Sequence, residues 1–196
     1  MTSKIDNKKL FDLSNHLAKN LGIYFPEKRH LDLLRKIEEL KEVFGFSNTE
    51  AMVEWLLQAP LNKRQITLLA GTLTINETYF MREKKVFETL AKVVLPELIT
   101  KKRATDRKIT IWCAACSTGE EPYSIAITLR RLLPDYKNWR IKILGTDITP
   151  AVLQKARQGI YRNWSFRNTE PWLKELYFKR NEEGDYYLKD EIRDCV

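Results

Sequence analysis

The chain has 196 residues, of which 43% are hydrophobic and 31% charged, with a formal net charge of +8. That length fits one ordinary domain or two small ones, and the mix can bury a core. No run approaches the ~18 apolar residues of a membrane span. The opening residues, Met1-Thr2-Ser3-Lys4-Ile5-Asp6, lack the apolar stretch of a signal peptide, so a cytoplasmic location is the default expectation. Cys113, Cys116 and Cys195 are too few, and odd in number, for a disulfide framework. Cys113 and Cys116 form a C-x-x-C, but no second ligand pair stands at zinc spacing, and no metal site is expected. A redox pair opening a helix is weighed against two small residues in a tight strand-to-turn segment, and the second reading is preferred. The positive charge is spread along the chain and admits an acidic partner, nucleic acid or protein, without choosing between them.

Leu10, Leu13, Leu17 and Leu21 recur at spacings of three and four, which predicts an amphipathic helix over 8–21 stopped by Gly22. Leu31, Leu34, Ile37, Leu40 and Phe44 predict a second helix over 27–44, closed by Gly45. Ser47-Asn48-Thr49-Glu50 reads as a capping box opening a third helix, and Asn62 caps a fourth that runs to about Ala70. Residues 1–72 are therefore expected to form an all-helical domain. Residues 73–83 have no clear period and read as a linker, yet they concentrate Asn76, Thr78, Tyr79 and Arg82. A fifth helix over 84–99 is kinked or shortened by Pro96. On the second helix Lys28, Arg29, Arg35 and Lys36 form a basic stripe, either a solvated face or a contact for an acidic partner helix.

The character then changes. The β-branched run Lys108-Ile109-Thr110-Ile111-Trp112-Cys113 predicts a strand, followed by the small-residue loop Ala114 to Gly119 and a helix over about 120–133. Arg140 to Gly145 predicts a second strand ending in Thr146-Asp147. Thr149 caps a further helix with Pro150 at its first position, running to Gln158. Strand, helix, strand, helix opens a parallel sheet. Trp164, Phe166 and Trp172 punctuate a loop and a short helix over 171–178, and residues 179–195 read as a hairpin turning at 181–185. The fold class is α/β: a small helical domain, then the first part of a Rossmann-like sheet over 84–196 with a small β-subdomain at about 178–196.

The strand ends carry the strongest chemical signal. A small-residue loop lets backbone approach a ligand closely, and the helix after it offers free N–H groups. Asp147 stands 28 residues beyond Gly119, where a carboxylate in such sheets accepts hydrogen bonds from a ribose diol. The loop holds one glycine, unlike a dinucleotide cradle, and Glu120 and Glu121 would repel phosphate and attract a cationic nucleoside. Methyl transfer from a sulfonium nucleoside is one reading. Other nucleoside binding, or a plain loop whose two Glu favour the helix dipole, stays open. Tyr123, Trp112 and Trp164 are candidates for an adenine wall, though core packing is the first expectation for each.

Three motifs make a resemblance specific. Leu73-Thr74-Ile75-Asn76-Glu77-Thr78-Tyr79-Phe80-Met81-Arg82-Glu83 resembles the linker pattern L-T-x-N-x-T-x-F-F-R-E of the CheR-type chemotaxis-receptor methyltransferases. Trp112 to Ser124 resembles that family's first cofactor loop, with cysteine at two places where alanine is usual. Gly145-Thr146-Asp147-Ile148-Thr149 followed by Ala156-Arg157-Gln158-Gly159-Ile160-Tyr161 is similar to its second strand and helix. The resemblance implies a class I methyltransferase sheet, S-adenosyl-L-methionine as cofactor, S-adenosyl-L-homocysteine as product, and glutamate side chains of chemotaxis receptors, or a similar acidic helical protein, as acceptors. It implies that Asn76, Thr78 and Arg82 reach the cofactor or reaction site from the linker, that Glu121 contacts the methionine or ribose part, and that Asp147 holds the ribose. Arg82 is the residue expected to position the acceptor carboxylate, its planar fork suiting two oxygens. The helical domain would face the receptor, with no membrane insertion and no nucleic acid.

The family's sheet continues beyond the position of Val196, so the resemblance makes this an incomplete catalytic domain. Weak activity for the chain alone and self-association through its exposed sheet are expected on that ground. The turn at 181–185 is shorter than in family members that dock on a receptor's C-terminal pentapeptide, which favours direct recognition of the methylation region. Nucleic-acid methyltransfer and a non-catalytic cofactor-binding or sensor module are the rival readings.

Overall fold

The structure, a computed structural model, describes residues 5–74 and 77–196. It divides into two compact units, Met1–Ile75 and Asn76–Val196.

Among the described residues the first unit packs four helices on one apolar core. Helix α1 (Asn7–Leu21) is capped at one end by the Asp6 carboxylate, which accepts from the Lys9 amide, and ends at Gly22 in the left-handed conformation. Helix α2 (His30–Leu40) follows a 3-10 turn at Glu27–Arg29. This shorter start corrects the predicted face: Leu33, Ile37 and Leu40 point inward, whereas Leu31 is 69% exposed. His30, at the start of α2, is also buried. Helix α3 (Thr49–Gln58) is capped by Asn48, whose side chain accepts from the Ala51 amide, so the cap lies one residue beyond the predicted Ser47, and Ala51 cannot complete a capping box. Helix α4 (Lys63–Leu73) opens on a reciprocal Asn62–Gln65 capping box. The Lys36 ammonium donates to the carbonyls of Thr72 and Thr74 at the end of α4, where cationic charge complements the helix dipole. Arg29 pairs with Asp32. Much of the basic stripe thus has partners within its own unit.

In the second unit, α5 (Lys84–Thr89) continues through a π-helical segment at Leu90–Val94 into α6 (Leu95–Arg103). Pro96 closely follows that π-segment, so its missing N–H falls where the α-helical ladder is already interrupted. The widened turn absorbs the break predicted there. Strands β1 (Lys108–Ala114) and β2 (Arg140–Thr146) pair in parallel, from Lys108 beside Arg140 to Ala114 beside Thr146. Helix α7 (Glu120–Leu132) connects them and α8 (Pro150–Gln158) follows. Ile109, Cys113 and Ile143 face the core. Trp112 and Leu144 face outward, so core packing fails for Trp112, which is 69% exposed with its indole N–H donating to the Thr146 hydroxyl.

Strands β3 (Ile160–Tyr161), β4 (Phe178–Arg180) and β5 (Tyr186–Leu188) form an antiparallel sheet in the order β3-β5-β4. Helix α9 (Pro171–Tyr177) precedes β4. The predicted hairpin is shorter than expected: its return strand ends at Leu188 and residues Asp190–Arg193 form a short helix, α10. The Cys195 carbonyl then accepts from the Ile143 amide at 3.2 Å on β2. Among the described residues no helix is long and apolar enough to cross a membrane.

Candidate functional site

Backbone strain gathers in two short segments. Of the five non-glycine residues with positive φ among those described, Ala115 and Ser117 lie in the loop after β1, and Met81 and Glu83 in the linker. Each left-handed residue costs of order 1 kcal/mol and persists only where its surroundings fix it. The loop is fixed by the end of β2. The Cys116 amide donates to the Thr146 carbonyl at 2.9 Å, and the Ser117 amide donates to Asp147 Oδ2 at 2.9 Å. Asp147 Oδ1 accepts from the Thr149 amide at 2.9 Å. Both carboxylate oxygens are thereby oriented, and each keeps a lone pair for a further donor. Thr149 is in the N-cap position of α8, as predicted, but its hydroxyl makes no cap bond.

Glycine is required where the loop enters α7. Gly119 has φ +93°, and a Cβ there would stand 2.9 Å from the Ala156 Cβ and 3.0 Å from the Tyr123 ring. Cys116 fills the space left open at Gly145, where a Cβ would meet its sulfur at 3.0 Å. This explains the C-x-x-C physically: both thiols are buried packing groups. Burial, then the neighbouring Glu121 carboxylate, pushes the Cys113 thiol up to about 12. Burial, then Asp147, raises that of Cys116. The thiolate is the reactive form. Iodoacetamide at pH 8 is therefore expected to spare Cys113 and Cys116 in the native chain and to modify them only after denaturation, as peptide mass mapping would read. Rapid native labelling of either would contradict this burial.

The two glutamates that open α7 part company. Glu121 is exposed, at the helix N-terminus beside the loop. Glu120, expected to face an incoming ligand, is 2% exposed and turned inward. Its Oε2 accepts from the Thr118 hydroxyl at 2.6 Å and its Oε1 from the Ser165 hydroxyl at 2.9 Å. The Ser165 carbonyl accepts from the Phe80 amide at 2.9 Å, and the Met81 amide donates to Ser124 Oγ at 3.0 Å. Glu120 therefore joins the loop, α7 and the turn that holds the linker. The adjacent Glu-Glu pair was visible in sequence; that one member is structural was not.

In the linker, Thr78 is half-buried and its carbonyl lies 3.4 Å from Arg167 Nη1. Arg82 is exposed, with its guanidinium 5.9 Å from the centre of the Tyr79 ring and 3.9 Å from the Glu77 carboxylate. Asn76 lies outside the described residues. Asp147 and the loop that leads to Glu121 are thus joined directly, and Thr78 and Arg82 share one linker tied to α7. Arg167, Glu77 and Ser165 are the neighbouring residues that sequence reasoning did not select. Trp164 is 71% exposed and stacks on Arg167, against the expectation of core packing, whereas Tyr123 is buried as expected. Tyr123, with Leu153 and Ala156, borders a cavity of about 210 Å³ behind the loop, which Thr78, Arg82, Glu121 and Asp147 do not line. Among the described residues no cluster of potential metal ligands occurs.

Comparison with known proteins accords with this geometry. The family model described as CheR methyltransferase, SAM binding domain, matches residues 76–196. A chemotaxis protein methyltransferase of Borreliella burgdorferi is 35% identical over 179 residues, covering 90% of this chain and 63% of that protein. Chemotaxis protein methyltransferase 2 of Vibrio cholerae is 35% identical over 175 residues, covering 88% and 57%. A probable chemotaxis protein methyltransferase of Rhizobium etli is 34% identical, covering 82% and 59%. The chain therefore spans roughly three-fifths of the length of these relatives. These matches do not favour nucleic-acid methyltransfer.

Proposed function

This chain belongs to the CheR methyltransferase family, and from that premise we propose that it serves S-adenosylmethionine-dependent methylation of glutamate side chains on chemotaxis receptors. The observation that carries the reading is Asp147. Its two oxygens are aimed by the Ser117 and Thr149 amides and retain acceptor capacity, which suits a vicinal diol. The absence of a side chain at Gly119 and Gly145 leaves the loop close against the end of β2. These features fit a nucleoside held by loop and carboxylate.

The roles assigned on this reading are specific. Asp147 holds the ribose hydroxyls, Glu121 the methionine or ribose part, and Asn76 and Thr78 contribute from the linker. The bound cofactor supplies an electrophilic methyl group on a sulfonium. Arg82 orients the acceptor carboxylate, and its loose, exposed setting leaves that carboxylate nucleophilic. A glutamate is already ionised at neutral pH, with an ordinary pKa of about 4.3, so the site needs no general base. Alignment and exclusion of water supply the catalysis. The acceptor is an acidic helical segment of a receptor, and the reading carries a cytoplasmic location with it.

Calorimetric titration with S-adenosylhomocysteine tests the site. Saturable binding is expected, weakened at least about tenfold by Asp147→Ala, since a hydrogen bond to a charged group contributes roughly 1.5–3 kcal/mol. Asp147→Asn, which retains one acceptor oxygen, should fall between. Equal affinity in all three chains would remove Asp147 from the site.

A further inference from the structure

Arg167 is the most heavily engaged cation near the linker. Its guanidinium is stacked 3.9 Å from the Tyr79 ring centre and 4.5 Å from that of Trp164. Nη2 donates to Glu77 Oε1 at 3.0 Å, and Nη1 donates to the Trp164 carbonyl at 2.9 Å, with the Thr78 carbonyl at 3.4 Å. Only 15% of this side chain is exposed, against 45% for Arg82. Every residue of the 164–167 turn meets the linker or its support: Ser165 accepts from the Phe80 amide and Phe166 stacks on the Phe80 ring at 5.0 Å.

Arg82 leans on the same two groups. Its guanidinium shares the Tyr79 ring at 5.9 Å, Nη2 lies 3.9 Å from Glu77 Oε2, and Nη1 donates to the Glu77 carbonyl. Glu77 therefore bridges two arginines, with one carboxylate oxygen toward each. Tyr79 likewise stands between them. The two contacts differ in strength: Arg167 is close and stacked, Arg82 is distant and solvated. A long, exposed arginine has many rotamers, and a neighbouring carboxylate and ring narrow them only if they are themselves fixed.

We propose that Arg167 is a positioning residue for Arg82, acting through Glu77 and Tyr79. It holds the carboxylate and the ring against which the Arg82 guanidinium rests, and so sets where that guanidinium waits for its ligand. Lysine cannot substitute, because it has neither a planar face to stack between two rings nor a fork for separate acceptors. The inference rests on the reading of Arg82 as a group of the cofactor site.

A double-mutant cycle on S-adenosylhomocysteine affinity separates this from a general structural role. Arg167→Lys is expected to weaken binding about fivefold when Arg82 is present and less than about twofold in the Arg82→Ala background, because residues acting through one another are non-additive. Equal weakening in both backgrounds would mean that Arg167 merely supports the fold, and would overturn the proposal. If Arg82→Ala alone leaves affinity unchanged, or the chain does not bind, the reading of Arg82 or of the site fails, and a ligand-free measurement decides the present inference. The Arg82 Nε–Hε resonance in a 15N-labelled chain should shift in Arg167→Lys and in Glu77→Gln. An Arg82 resonance that ignores both substitutions overturns the positioning role.

Discussion

Phe80→Ala is expected to lower the stability of the 76–196 unit by about 3–5 kcal/mol, the range for truncating a buried phenylalanine. Phe80 belongs to the linker, yet it is fully buried. Its ring lies flat on Phe166 at 5.0 Å and meets the rings of Tyr161 at 4.8 Å and Phe178 at 5.2 Å nearly edge-on. Tyr161 and Phe166 also contact Phe178, so the four rings support one another. Collapse into the vacated volume is therefore hindered, because each wall of the cavity is a rigid ring already held from behind. The Tyr161 hydroxyl donates to the Thr118 carbonyl at 2.9 Å, which extends the cluster to the loop after β1. Denaturant unfolding monitored by fluorescence gives the loss, with Phe80→Leu as the milder comparison. A loss below about 1 kcal/mol would fall outside the core range and show that the ring is not held as described.

This position also shows what sequence can and cannot carry. The strand-loop-helix-strand pattern was legible because it is local: β-branched runs, a small-residue loop and a capped helix each speak for themselves. The predicted helix over 150–158 agrees with the observed Pro150–Gln158. Local reading fails where the answer depends on a distant partner. Leu31 and Leu33 are equally apolar, and which one faces the core turns on the 3-10 turn at Glu27–Arg29 that resets the helix start. Glu120 and Glu121 are chemically the same, but adjacent helical positions point about 100° apart. Glu120 points inward to Thr118 in the loop and to Ser165, which lies 45 residues further along. Arg167 drew no reading from the sequence, because Tyr79 and Glu77 reach it only through the fold. The candidate residues Thr78, Arg82 and Glu121 came from motif resemblance and Asp147 also from its place at a strand end, whereas the groups that hold them came from packing.

Gly119→Ala is expected to cost about 2–5 kcal/mol, from two sources that can be separated. The first is conformational: at φ +93° an L-residue loses roughly 1–2 kcal/mol or more. The second is steric, because the new Cβ would meet the Ala156 Cβ at 2.9 Å and the Tyr123 ring at 3.0 Å, and overpacking costs about 1–3 kcal/mol. Neither neighbour yields easily. Tyr123 is anchored by its hydroxyl, which donates to the Ala156 carbonyl at 2.9 Å, and Ala156 belongs to α8. Moving either group pushes α7 and α8 apart at the loop that Asp147 secures. Gly22 supplies the comparison, since it has φ +72° with no atom near a built Cβ. Gly22→Ala should therefore show the conformational cost alone, about 1–2 kcal/mol. Ala156→Gly removes one of the two clashing atoms. Added to Gly119→Ala, it should return part of the steric loss beyond its own helix penalty of about 1 kcal/mol. Thermal and denaturant melts of the single and paired variants measure both parts. If Gly119→Ala were no more costly than Gly22→Ala, the loop would have room to move, and close approach to α8 could not be what requires glycine there.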